Sequence, residues 1–243
     1  MREKILFTWS GGKDSALAFY ELIRGDLFEV AALLTTVTRT YDRISMHGVR
    51  RSLVEKQAES LGLPLEIVYL SSESSEEDYE KAMTDVLLEY RHQGISSVAF
   101  GDIHLRDIRE YRERHLARVD MRGLFPLWVE DTAMLAQSFI HEGFKAVVTC
   151  VDTRRLDRSF VGRMIDKGFL ASLPPEVDPC GENGEYHSFV FDAPMFERPI
   201  PCETGEVVVR DSFCFCDVLP TLDRAEEGRV TTGCCPNRIS SNG

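Results

Sequence analysis

Apolar positions along the chain fall into two patterns, short near-continuous runs and stripes at helical spacing. Lys4-Ile5-Leu6-Phe7-Thr8-Trp9 is a run, and Ala16-Leu17-Ala18-Phe19-Tyr20-Glu21-Leu22 follows as a stripe, with Gly25 where a C-cap belongs. Phe28 to Thr36 (FEVAALLTT), of the kind buried on both faces, and then Leu65 to Leu70 and Ser97 to Gly101 (SVAFG) predict three more strands. Between them, Met46-His47-Gly48-Val49-Arg50-Arg51 opens a predicted helix towards Leu61, stopped by Gly62 and Pro64. A capping box in Ser74-Ser75-Glu76-Glu77 starts a second helix, which ends near Gly94. Leu124 to Trp128 reads as a short strand, Asp131-Thr132 as the cap of a helix reaching Gly143, and Lys145 to Asp152 (KAVVTCVD) as another strand. Strands alternating with helices predict an α/β fold with a parallel, doubly wound sheet.

The rhythm changes beyond Asp152. Arg154, Arg155, Arg158 and Arg163 surround a short mixed segment, and Pro174-Pro175 breaks any helix there. The expected division is therefore one domain over residues 1–130 and a smaller one over 131–222. Residues 223–243 lack apolar periodicity and are expected to be disordered.

Composition narrows the function classes. The 243 residues are 43% apolar and 28% charged, as in ordinary globular proteins, and the net charge of −12 argues against an extensive nucleic-acid-binding surface. No run is long enough to cross a membrane and no leader pattern precedes the first strand, so a cytoplasmic protein is expected. The seven cysteines (Cys150, Cys180, Cys202, Cys214, Cys216, Cys234 and Cys235) are scattered and odd in number, which does not suggest a disulfide framework. Cys214 and Cys216 would share one face of a strand, but with Cys234 and Cys235 they match no familiar zinc spacing, and plain thiols are the favoured reading.

Two stretches carry the candidate chemistry. The first is the turn after the first strand, Ser10-Gly11-Gly12-Lys13-Asp14-Ser15. Adjacent glycines let backbone N–H groups approach an anion, and the helix start behind them adds unpaired N–H groups and the positive end of its dipole. Ser10 and Ser15 add hydroxyls and Lys13 a positive charge, so the turn reads as a phosphate cradle. Ligands of open α/β sheets bind at the C-terminal strand ends, which brings in Thr35 with Thr36 and Thr38, and Gly101-Asp102. The segment that follows interleaves Arg106, Arg109, Arg112, Arg114, Arg118 and Arg122 with acidic residues. It reads either as a solvated helix laced with ion pairs or as a source of one or two phosphate ligands, and position favours Arg109 first and Arg106 second. The second stretch is Asp178-Pro179-Cys180-Gly181-Glu182-Asn183-Gly184-Glu185-Tyr186-His187-Ser188, just before the strand Phe189-Val190-Phe191. Its carboxylates, amide and imidazole could bind an amine, orient a carboxylate or hold Mg²⁺.

Ser-Gly-Gly-Lys-Asp-Ser resembles the PP-loop of the ATP pyrophosphatases, which split ATP between its α- and β-phosphates. Together with Gly-Glu-Asn-Gly-Glu-Tyr-His-Ser it is similar to the diphthine–ammonia ligase family, and Met46 to Arg50, Phe100 to Ile103 and Pro126 to Trp128 resemble its prokaryotic branch. The resemblance spans about residues 4 to 220. It implies a five-stranded parallel PP-loop sheet of Rossmann-like type with a smaller C-terminal α/β domain. It also implies an enzyme that adenylates a substrate carboxylate, releases pyrophosphate and amidates the carboxylate with ammonia. By this likeness Ser10, Gly11, Gly12, Lys13, Asp14 and Ser15 bind ATP, with Thr35, Gly101, Asp102 and Arg109 alongside and Mg²⁺ at Asp14. Gly181, Glu182, Asn183, Gly184, Glu185 and His187 would face the acceptor or ammonia, with Lys13, Asp14, Glu182 and Glu185 as catalytic groups. Asn183 stands where the family's eukaryotic form has glycine, which bears on the acceptor rather than on the ATP chemistry. The implied partners are ATP, ammonia and a carboxylate acceptor, and a homodimer stays open. The alternatives are an RNA-modifying PP-loop enzyme and a nucleotide-binding protein without turnover.

Overall fold

The structure is a computed structural model, and it describes residues 2–45 and 47–221. The expected tail and Cys234 and Cys235 lie outside the described residues, as does Met46.

The first sheet is built from β1 (Glu3–Thr8), β2 (Phe28–Thr38), β3 (Arg43–Ile44), β4 (Leu65–Leu70), β5 (Ser97–Ala99) and β6 (Arg122–Leu124). Five of these run parallel in the order β4-β2-β1-β5-β6, as expected. The addition is β3, a two-residue strand antiparallel to β2 at Val37 and Thr38, where β4 already occupies the other edge. It therefore sits on the β1 side, beyond the point where β1 has ended, and overhangs the turn that leaves β1. The crossovers are α1 (Lys13–Arg24), α2 (Arg51–Leu61), α3 (Glu76–His92) and α4 (Arg106–Ala117). Ser75 caps α3 in a capping box closed by Asp78.

Two predicted elements are corrected. Residues 47–50 form turn and extended backbone rather than helix, and α2 begins only at Arg51. The apolar run Leu124 to Trp128 is mostly a turn: β6 ends at Leu124, and Phe125 leaves the sheet to stack on Phe100 with ring centroids 5.4 Å apart.

The second sheet is antiparallel, in the order β8-β7-β10-β9. Its strands are β7 (Lys145–Asp152), β8 (Tyr186–Asp192), β9 (Cys202–Arg210) and β10 (Phe213–Pro220), and α5 (Thr132–His141), a short 3₁₀ turn (Arg158–Phe160) and α6 (Lys167–Ser172) accompany it. Cys214 and Cys216 do share the buried face of β10. No helix among the described residues is long and apolar enough to cross a membrane.

One apolar cluster runs through both halves, from Ile5, Phe7 and Trp9 through Leu53 and Phe139 to Phe189, Val190 and Val218. The two sheets are also tied by polar contacts at the β1–α1 turn. Gln57 on α2, fully buried, accepts from Trp9 Nε1 (2.9 Å) and donates to the carbonyls of Gly11 (3.1 Å) and Val190 (2.6 Å). Val190 N–H in turn donates to the Gly11 carbonyl at 2.9 Å. The second sheet is thus bonded directly onto the glycine turn of the first.

Candidate active site

A cleft of about 570 Å³ opens at the C-terminal ends of β1, β2, β4 and β5. Its floor is the turn after β1. Gly11 adopts φ +77°, and a Cβ there would lie 2.6 Å from Gln57 Oε1, so only glycine fits. Gly12 caps α1, leaving the first-turn N–H groups of Lys13, Asp14 and Ser15 without intrahelical acceptors. Ser188 Oγ takes the Lys13 N–H at 3.1 Å, while Asp14 and Ser15 keep theirs at the cleft floor. Ser10 and Ser15 hydroxyls meet at 3.1 Å beside them. At the end of β5, Gly101 packs so closely that a Cβ would lie 2.9 Å from Ser15 N. This donor set suits the oxygens of a polyphosphate.

Lys13 is buried, with Nζ 2.7 and 2.8 Å from the two Asp14 carboxylate oxygens and 5.3 Å above the Tyr186 ring. Burial alone would lower its pKa, but the Asp14 charge outweighs that and the net shift is upward, so the ammonium is retained. Thr35, Gly101 and Asp102 line the cleft. Arg109 does not line it: its guanidinium pairs with Glu113 (2.8 Å) and packs over Phe125 and Trp128 at 4.6 and 4.5 Å. The arginine in the cleft is Arg112, one turn further along α4, stacked on Phe100 at 4.5 Å and held by Asp102 through bonds of 2.6 and 3.0 Å. Arg112 shares the inner stripe of α4 with His115 and Leu116, a spacing that marks the inward face.

The opposite wall comes from the second half of the chain. Gly181, Glu182, Tyr186, His187 and Ser188 line the cleft facing the glycine turn. Glu182 accepts from the N–H groups of Ile103 (2.8 Å) and His104 (3.2 Å), pinning its loop across the end of β5. Burial pushes its carboxyl above the ordinary range, against the pull of those two donors. Asn183 and Gly184 form the tip of the turn and do not line the cleft. Glu185 lies buried behind the wall. Its Oε1 accepts from Asp178 N–H (3.2 Å) and Asn183 Nδ2 (3.1 Å), and its Oε2 has no partner among the described residues.

His47 is a cleft residue not expected from the sequence. Its ring lies 4.7 Å from that of His187, and its edge is 3.3 Å from where a Gly12 Cβ would be. Burial pushes both imidazoles down, His187 to about 3, so both are neutral near pH 7. The loop carrying His47 is held by the second sheet: Thr149 Oγ1 donates to the His47 carbonyl (3.2 Å), and Asp217 binds both Arg43 (2.8 Å) and Arg50 (2.6 Å). No local pattern marks such a residue, because tertiary contacts place it.

Among the described residues no three His, Cys, Asp or Glu side chains gather into a metal cage. Asp14 and Asp102 each bring a carboxylate of the kind that can share Mg²⁺ with a phosphate to the cleft floor, and here Lys13 and Arg112 engage those oxygens. Cys180 lies near Lys13, but burial pushes its thiol up to about 12, which keeps it protonated.

The fold and the cleft define an α/β protein of the PP-loop type, whose phosphate-cradling turn is faced by a wall from a second, antiparallel sheet. The family model for the diphthamide synthase N-terminal domain matches residues 2–123, and that for the diphthamide synthase C-terminal domain matches residues 131–220. The chain belongs to the diphthamide synthase family. It is similar to a diphthine–ammonia ligase of Schizosaccharomyces pombe (29% identity over 230 residues, 86% of this chain and 38% of the relative). It is also similar to those of Danio rerio (27%, 86% and 90%) and Homo sapiens (26%, 86% and 86%). The chain thus spans under half the length of the yeast relative and most of the two vertebrate ones.

Proposed function

We propose that the chain is an ATP-dependent amide ligase acting on a carboxylate acceptor, related in chemistry to the diphthine–ammonia ligases it resembles. The observation that carries this reading is the meeting of both motifs in one cleft. The Ser10–Ser15 turn and the Gly181–Ser188 wall face each other and are joined at Lys13 N–H and Ser188 Oγ.

In this reading the α1 N–H groups, Ser10, Ser15 and Lys13 hold the phosphates of ATP. The acceptor carboxylate attacks the α-phosphorus, a new O–P bond forms, and the bond to the β-phosphate oxygen breaks to release pyrophosphate. Ammonia then attacks the acyl carbon with its lone pair, AMP leaves with the electron pair of the C–O bond, and the nitrogen gives up one proton to solvent to leave the neutral amide. Fixed donors at the cradle stabilise charge where it develops on the phosphates. Mg²⁺ bound through Asp14, with Asp102 nearby, would neutralise phosphate charge. Glu185, buried behind the wall, would hold the Gly181–Ser188 turn in place through Asp178 and Asn183, and the wall of Glu182 and His187 shields the mixed anhydride from water. The buried, protonated Cys180 speaks against a thiol-relay reaction on RNA.

The experiment is a pyrophosphate-release assay with Mg-ATP, ammonium and a panel of carboxylates, with the amide identified by mass spectrometry. Ser10→Ala and Asp14→Ala are expected to abolish release while leaving the circular dichroism unchanged. Normal turnover in both variants would overturn the site assignment, and a lack of any ATP-dependent product would overturn the ligase reading.

A further inference from the structure

The second sheet ends in an open edge. β9 pairs with β10 on one side and with no described strand on the other. Natural edges are usually blunted by lysine, proline or inward-turned charge. Here the strand ends in Glu206-Val207-Val208-Val209-Arg210, and the three valines are 51, 36 and 56% exposed. An unbroken apolar triplet on a free edge is a template for another strand.

We propose that β9 pairs antiparallel with β9 of a second copy of this chain, about a two-fold axis at Val208, joining the two four-stranded sheets into one. The strand is self-complementary in that register. With the axis at Val208, Val207 faces the partner subunit's Val209, and Glu206 faces the partner subunit's Arg210 at both ends. Moving the axis to Val207 or to Val209 sets Glu206 or Arg210 against a valine and loses both ion pairs. Backbone parity agrees with the same centre. The two-residue turn Asp211-Ser212 joins the pair Arg210↔Phe213, which makes that pair the hydrogen-bonded one. Alternating from it, Arg210 and Val208 bond to β10, whereas Val207 and Val209 turn their N–H and C=O groups to the open edge. Those are the two residues that exchange bonds across an axis at Val208. Glu206, Val208 and Arg210 share the face that walls a cavity of about 400 Å³, completed by Tyr41, which is 52% exposed with the Arg210 guanidinium 5.3 Å over its ring. Pairing would extend this half-covered groove across both copies, as the isologous interface of a two-fold dimer does.

Sedimentation of the full chain in the micromolar range tests the proposal, with circular dichroism to verify folding of each variant. The wild type is expected to be a dimer. Val208→Lys should give a monomer, and Glu206→Arg should weaken the dimer about tenfold by facing an arginine with the partner subunit's Arg210 at both ends. The double variant E206R/R210E, with both charges exchanged, should restore it. Val208→Cys should cross-link two copies on mild oxidation, since directly opposed residues at a non-hydrogen-bonded position lie within disulfide reach, while the wild type under the same oxidation should not. A monomeric wild type, or a dimer indifferent to Val208→Lys and to the charge reversal, would overturn the proposal. Both outcomes are independent of whether the cleft is a ligase site.

Discussion

At the residue scale, His187 links the cleft to pH. Burial, aided by His47 and Lys13, pushes its pKa from 6.5 to about 3, so the folded chain holds it neutral while the unfolded chain protonates it. Between those two values the unfolded state binds the extra proton. Stability is therefore full above pH 6.5 and falls as pH drops from 6.5 towards 3, by roughly 1.4 kcal/mol per pH unit for one such group. His47, lowered by burial as well, adds to the loss in the same direction. Asp217, which the paired Arg50 and Arg43 bring to about 2 against the effect of its burial, stabilises fully above its ordinary 3.8 and loses that stability only as pH falls from there towards 2. Urea unfolding at roughly pH 7 and roughly pH 5 should show the loss, and His187→Gln should flatten it. An unchanged slope in that variant would exclude His187 as the source. The two arginines of α4 give a second test at this scale. Arg112 lines the cleft and Arg109 packs on Phe125 and Trp128 outside it. Arg112→Ala is expected to lower kcat/KM for ATP roughly tenfold to a hundredfold, the effect of removing a charged hydrogen bond, and Arg109→Ala to leave it nearly unchanged. The reverse order would restore the original expectation for Arg109.

At the scale of elements, α2 shows what the hydrophobic pattern could and could not convey. Leu53, Val54, Gln57 and Ala58 lie on its buried face, whereas the stop signals Gly62 and Pro64 are what mark the helix in the sequence. Gln57 breaks the apolar stripe of that face because it bonds Trp9 on β1, the Gly11 turn and Val190 on β8 at once. A polar residue inside an apolar stripe was the available signal, and its partners depended on chain segments far away. Gln57→Leu should therefore destabilise the protein by about 2–4 kcal/mol despite its matching volume, since Trp9 Nε1 and the Val190 carbonyl are left buried without partners. Urea denaturation reads this, and a shift below about 1 kcal/mol would mean that water or neighbours replace the amide. The same logic explains the two misread segments. Leu127 in the turn after β6 is buried as deeply as a strand residue, so an apolar run there looks like a strand. Residues 47–50 carry Val49 into the core and Arg50 to Asp217, and those long-range bonds hold the loop open where local spacing suggested a helix. Strand ends and the cradle were legible because glycine, serine and helix-start chemistry is local. His47 and Arg112 were not singled out, because the rotation of α4 and the seating of the loop are fixed by contacts with distant residues.

At the scale of the whole molecule, the division into two halves does not coincide with a division of the core. The larger of two apolar clusters joins Ile5, Phe7 and Trp9 of the first sheet with Phe139, Phe189 and Val218 of the second half, while the smaller one, around Leu6, Leu34 and Val98, lies within the first half. Ser188 and Val190 of β8 bond Lys13 and Gly11 directly, and Ser60 on α2 bonds Arg198 on both sides, donating to its carbonyl at 2.6 Å and accepting from its N–H at 3.1 Å. A chain whose halves share a core and hydrogen bonds at the seam should unfold as one unit. The expected outcome is a single urea transition in which tryptophan fluorescence, reporting Trp9 and Trp128 in the first half, coincides with far-ultraviolet circular dichroism, reporting both sheets. The half comprising residues 131–221, produced alone, should lack a stable fold, because β8 would expose the face it packs against α1 and lose its bonds to the glycine turn. Adding residues 2–130 in trans should restore its amide protection. Independent folding of the second half, or two separate transitions in the full chain, would show that the seam is an interface between autonomous domains. In that case the cleft could open by rigid-body motion. If the single transition is found, opening of the cleft must come from short segments such as 39–42 and 181–184, which contribute no side chain to the shared core.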